Sequence, residues 1–96
     1  MPAGGPEQRI QGRILKGLKK HGIWATKVIT ANRNGVPDIL ACHEGCFVAI
    51  EVKTPKGRVS KVQEFQIEQI RRAGGIALVA TCWKDVAEVL QLEIDM

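Results

Sequence analysis

Apolar residues recur at helical spacing in three parts of the chain and at strand spacing in the segments between them. Ile10, Ile14, Leu15 and Leu18 make one stripe of a first helix expected from about Glu7 to His21, entered at Pro6 and stopped by Gly22. Arg9, Arg13, Lys16 and Lys20 run along another side of it. Gly12 and Gly17 each cost about 1 kcal/mol relative to alanine inside a helix, which points to close packing against another element or subunit. Trp24 to Thr30, rich in β-branched and aromatic residues, predicts a first strand, and Ala31-Asn32-Arg33-Asn34-Gly35 a turn. Ser60 is placed to cap a second helix reaching about Ala73, with Val62, Phe65, Ile70 and Ala73 on its apolar face and Gly74-Gly75 closing it. Ile76 to Ala80 predicts a strand joined to its predecessor by a right-handed parallel crossover. Thr81 is placed to cap a last helix over about Trp83 to Leu90, with Val86, Val89 and Leu90 inward. The order α-β-β-β-α-β-α predicts an α/β fold, a small mixed four-stranded sheet with helices on its faces.

The central stretch, Gly35 to Lys53, predicts a β-hairpin. Two apolar runs, Ile39-Leu40-Ala41-Cys42 and Phe47-Val48-Ala49-Ile50, flank His43-Glu44-Gly45-Cys46, where Glu44-Gly45 has the length and the glycine of a two-residue turn. That turn sets Cys46 opposite His43 and Phe47 opposite Cys42. Carried onward, the same register sets Asp38 opposite Glu51. Directly opposed residues have Cβ atoms about 4.5–5.5 Å apart, a separation at which like charges destabilise a sheet unless something positive lies between them. Strand alternation puts Glu51 and Lys53 on one face and Val48, Ile50 and Val52 on the other. Pro37 fits the first residue of a strand and removes a ladder donor beside the acid.

Taken singly, these charges have ordinary readings. An Asp after Pro is commonly a turn residue, and Glu-x-Lys on a strand commonly a solvated face or a salt bridge. The apolar surroundings argue instead for a charged face bordering a cleft. Asp38 and Glu51 are hard oxygen donors that suit Mg²⁺ or Mn²⁺, to which the Val52 carbonyl can add a ligand. Lys53 beside them can orient or help deprotonate a water and stabilise charge gathering on phosphorus. Together the groups suit phosphodiester hydrolysis. Glu7 falls on the inward stripe of the first helix, although an acid there also stabilises the helix N-terminus by about 0.3–1 kcal/mol. Gln63 lies on the flank of the second helix near its buried side and needs a partner, which a loop carbonyl would also satisfy. Lys56, Arg58 and Lys61 follow Lys53 closely, and Arg33 precedes Pro37, so a phosphate backbone could bind around the same place. A solvated loop would carry the same run.

Bulk composition narrows the classes. A chain of 96 residues is expected to be one domain, residues 1–96, and no apolar run reaches the length of a membrane span. The start, MPAGGPEQR, lacks the apolar core of a secretory signal. Cys42, Cys46 and Cys82 are an odd number without the density of a disulfide scaffold, which suits free thiols in a reducing, cytoplasmic setting. Cys42, His43 and Cys46 could form half of a zinc site in a metal-bearing interaction protein, but a second ligand pair at the usual spacing is missing. A net charge of +4 favours a polyanionic partner only weakly.

Pro37-Asp38 followed by Glu51-Val52-Lys53 resembles the signature of the PD-(D/E)xK nucleases. Glu7, Gly35-Val36-Pro37-Asp38, Glu51-Val52-Lys53-Thr54, Ser60-Lys61-Val62-Gln63 and Ala73-Gly74-Gly75 together resemble the VRR-NUC domain, the virus-type replication-repair nuclease, from about Glu7 to Leu90. The resemblance implies a restriction-endonuclease-like core, a Mg²⁺ or Mn²⁺ site, and Glu7, Asp38, Glu51, Lys53 and Gln63 as active-site residues. It further implies a homodimeric, structure-specific endonuclease acting on branched DNA such as four-way junctions, in a bacterial or phage-infected cell. The alternative class is a non-catalytic nucleic-acid-binding module that keeps the fold, against which the intact Asp38, Glu51 and Lys53 argue.

Overall fold

The computed structural model describes residues 4–93. The elements follow the expected order: α1 (Pro6–Lys20), β1 (Trp24–Lys27), β2 (Ile39–His43), β3 (Cys46–Val52), α2 (Lys61–Arg72), β4 (Ile76–Ala80) and α3 (Trp83–Leu90). The sheet is ordered β1-β2-β3-β4, antiparallel between β1 and β2 and between β2 and β3, and parallel between β3 and β4. The hairpin register is the expected one, with His43 opposite Cys46 and Ile39 opposite Ile50. Both turn residues have positive φ, 51° at Glu44 and 79° at Gly45, as a tight turn matched to the sheet's twist requires.

Alternation along β3 divides the core. Val48, Ile50 and Val52 join Ile14 and Leu18 of α1 and Val86 and Leu90 of α3 on one face, whereas Ala49 meets Ile67 of α2 and Ala77 of β4 on the other. The glycine in α1 has a partner: a Cβ on Gly17 would lie 2.6 Å from the Trp83 ring, so its absence lets α3 pack directly on α1. Gly12 borders open space.

Several sequence expectations need correction. β1 ends at Lys27, not Thr30. Lys27 pairs with Ile39, the first residue of β2, and the same register would carry Ile29 to Pro37, which has no N–H to donate. Val62, Phe65 and Ala73 are exposed; Ile67 and Ile70 make the inward face of α2. Val89 is exposed and Ala87 takes its expected place in α3. The N-cap of α3 is Cys82, without a side-chain cap bond, while the Thr81 N–H and hydroxyl both donate to Asp85 Oδ2, at 2.8 and 3.1 Å. Those bonds hold the Asp85 carboxyl below its ordinary pKa.

Candidate active site

Three backbone devices bring the candidate residues to one end of the sheet. The first is the hairpin. Asp38 lies one residue before β2, and its Oδ2 accepts a 2.8 Å hydrogen bond from the Val52 N–H, which ties the acid to the end of β3. Its own carbonyl accepts from Val28, at 2.8 Å, tying it to the end of β1 as well. The second device is Gly35. With φ at +81° and a built Cβ only 2.7 Å from the Val62 carbonyl oxygen, this position admits glycine alone without a shift. The turn carrying Arg33 thereby packs on the first turn of α2. The third is a capping box: the Ser60 hydroxyl accepts from the Gln63 N–H at 3.2 Å, and Gln63 Oε1 accepts from the Ser60 N–H at 2.9 Å.

The capping box determines what Gln63 can do next. Its carbonyl oxygen is committed to Ser60, so the amide nitrogen is the end left free, and it donates to Glu51 Oε2 at 3.0 Å. Lys53 Nζ stands 3.6 Å from the same oxygen, its side chain mostly buried. Glu51 is 1% exposed. Its other oxygen, Oε1, is buried without a hydrogen-bond partner among the described residues. Burial first, and the neighbouring Asp38 carboxylate second, push the Glu51 pKa from 4.5 up to about 7, against the pull of the Lys53 ammonium.

An orphaned buried carboxylate oxygen beside a second carboxylate is a place a cation would fill. Two carboxylates are the number Mg²⁺ commonly takes from protein, with waters and phosphate oxygens completing its shell. The donor set therefore fits a hard divalent cation. Among the described residues no three of His, Cys, Asp and Glu gather as metal ligands, so Glu7 does not complete a three-acid cluster. It stands half-buried in the first turn of α1. Because α1 turns tightly into β1 and packs on it, that first turn lies toward the end of the sheet where Asp38 sits. Val52 contributes its N–H to Asp38. Arg33, Lys56, Arg58 and Lys61 are all exposed, on the turn before Pro37, the loop after β3 and the start of α2. Cys42 pairs with Phe47 and His43 with Cys46, so Cys42 and Cys46 point to opposite faces of the hairpin and do not form the zinc half-site.

The family model of the VRR-NUC domain matches residues 6–83. The chain belongs to the VRR-NUC family of nucleases. Two solved structures described as VRR-NUC domains share the fold: one has a TM-score of 0.78 at 23% identity, covering 92% of this chain and 97% of the other. The second has a TM-score of 0.74 at 19% identity, covering 92% and 87%. Hjc of Archaeoglobus fulgidus, a Holliday junction resolvase from an archaeal hyperthermophile, has a TM-score of 0.59 at 32% identity, covering 75% of this chain and 64% of its own. No curated protein matches the sequence. Among the described residues no helix is long and apolar enough to cross a membrane.

What the sequence reading missed is the double duty of Gln63. Ser60 was legible as an N-cap, and the S-x-x-Q spacing that makes a capping box was there to be read.

The Glu51 shift predicts a pH dependence of stability. The folded protein keeps the Glu51 proton to about pH 7, whereas the unfolded chain releases it near 4.5. Folded protein thus binds more protons between those values, and stability falls as pH rises through that window, by on the order of 3 kcal/mol at most. Glu51→Gln removes the titration. In metal-free melts from about pH 4.5 to 8, the wild-type melting temperature is expected to fall relative to that of Glu51→Gln. Parallel curves would refute the assignment.

Proposed function

We propose that this protein is a Mg²⁺- or Mn²⁺-dependent, structure-specific DNA endonuclease that hydrolyses phosphodiester bonds in branched DNA such as four-way junctions. The observation that carries this reading is the buried Glu51 beside the half-buried Asp38, with Lys53 and Gln63 both on one oxygen of Glu51 and the other oxygen unpartnered. Asp38, Glu51 and the Val52 carbonyl would hold the cation. A cation held there supplies Lewis-acid polarisation of a phosphoryl oxygen and lowers the pKa of a bound water. Lys53 holds its ammonium at the reaction centre, where it orients the attacking water and offsets charge developing on the phosphoryl oxygens. Gln63, fixed by Ser60, keeps Glu51 Oε2 occupied and so leaves Oε1 as the oxygen that would bind the cation. Arg33, Lys56, Arg58 and Lys61 bring the phosphate backbone to this end of the sheet. Branched DNA as substrate is supported by the likeness to a Holliday junction resolvase.

A homodimer completes the reading, giving two sites for two strands. Trp24 and Phe47, 65% and 46% exposed, flank Cys42 across β1, β2 and β3 on the part of the sheet face that α2 leaves open. Val62 and Phe65 add exposed apolar surface on α2. Exposed apolar side chains on a sheet face are the kind of surface that an isologous contact between two copies would cover.

Lys53→Ala is expected to lower single-turnover cleavage of a four-way junction in Mg²⁺ by at least about a hundredfold while leaving junction binding intact. Equal rates for wild type and variant, or no cleavage of junction, flap, duplex or single strand by either, would sink the catalytic reading. Sedimentation equilibrium is expected to give the mass of two chains for wild type and of one chain for Phe47→Glu; a wild-type monomer at micromolar concentration contradicts the dimer.

A further inference from the structure

The positive charge of this protein is unevenly placed. At the end of α2 and in α3, two cations are matched by acids one turn away: Arg72 with Glu68 at 3.5 Å and Lys84 with Glu88 at 4.0 Å. Arg71 donates to the Ala77 carbonyl at 3.0 Å. On α1 the pattern is different. Arg9, Arg13, Lys16 and Lys19 are exposed and have no carboxylate partner among the described residues. The only acid on the helix, Glu7, lies on its other side, toward the buried stripe of Ile14 and Leu18.

Helical geometry turns three of these residues into a line. At about 100° per residue, Arg9, Arg13 and Lys16 fall within roughly 60° of one another and point directly away from Leu18. At about 1.5 Å per residue, the stripe from Arg9 to Lys16 is about 10 Å long. One strand of duplex DNA presents a phosphate about every 3.4 Å of axis, so a stripe of that length lies alongside about three phosphates. Like charges at i,i+4 destabilise a helix by some tenths of a kcal/mol per pair, and Arg9–Arg13 is such a pair. A stripe of exposed cations that repel one another suits an anionic partner.

The placement also gives a direction. α1 packs on the sheet face opposite α2, and its first turn lies at the Asp38 end. The stripe therefore starts near the candidate active site and runs away from it over the back of the sheet. Arg33, Lys56, Arg58 and Lys61 lie on the front and at the end. We infer that the α1 stripe is a second phosphate-backbone surface, which holds a duplex arm of the nucleic acid as it leaves the cleavage site. This rests on the nuclease reading for the identity of the polyanion, but not on catalysis.

The test separates the two. Binding of a labelled four-way junction is measured by fluorescence anisotropy in EDTA across a range of KCl concentrations, for wild type and for the double variant Arg13→Gln/Lys16→Gln. Glutamine is a good helix former at these exposed positions, so the fold is retained, which circular dichroism checks. Losing two phosphate contacts is expected to reduce the magnitude of the slope of log K against log[KCl] by about 1.8. Single-turnover cleavage at saturating protein is expected to stay at the wild-type rate. A variant slope equal to that of wild type overturns the inference, as does a wild type that binds no junction. A wild type that binds with the expected slopes but never cleaves leaves the stripe standing and removes the catalytic reading instead.

Discussion

A buried carboxyl group held beside a second, half-buried one is the constraint on which the rest of this structure depends. Burying a charge without a partner is expensive, and a like charge beside it adds to the cost. The chain meets that cost by keeping a proton on Glu51 to about pH 7 and by placing Lys53 and Gln63 on one of its oxygens. It leaves Oε1 unsatisfied. A fold selected for stability alone gains nothing from an unpartnered carboxylate oxygen in a buried position. That unsatisfied oxygen is where the proposed cation would bind.

The surrounding architecture reads as a set of clamps on that pair. The Glu44-Gly45 turn fixes the hairpin register, and a slip of one residue would send Glu51 to the α1 face and its apolar neighbours to the α2 face. The Val52 N–H holds Asp38 from β3, and β1 holds its carbonyl. Gly35 lets the Arg33 turn lie against α2, and the Ser60–Gln63 box then aims an amide at Glu51. Each clamp is backbone geometry or a cap, so the site residues are placed by rigid parts of the fold.

Much of this was legible in the sequence because its signals are local. A glycine-containing two-residue turn between apolar runs fixes a register, and a register fixes which side chains face each other, so Asp38 and Glu51 could be paired without knowing the fold. Element order and the helix boundaries followed from capping residues and glycines. The misreadings arose where tertiary contact overrides local pattern. Val62 and Phe65 look like a core face by spacing, yet α2 turns Ile67 and Ile70 inward, which leaves the apolar pair exposed. Thr30 looks like strand, but the partner opposite Ile29 would be Pro37. The part of Glu7 is of another kind: it belongs to a helix whose approach to the hairpin no local signal sets, and among the described residues it joins no three-acid cluster.

The central claim is that Asp38 and Glu51 form a divalent-cation site whose proton must leave when the cation enters. Calorimetric titration of Mn²⁺ into the protein at about pH 6, in two buffers of different ionisation enthalpy, counts those protons. The account predicts binding with release of close to one proton, and loss of both the release and most of the affinity in Glu51→Gln. Binding without proton release, equal in wild type and Glu51→Gln, or no binding at all, would contradict it.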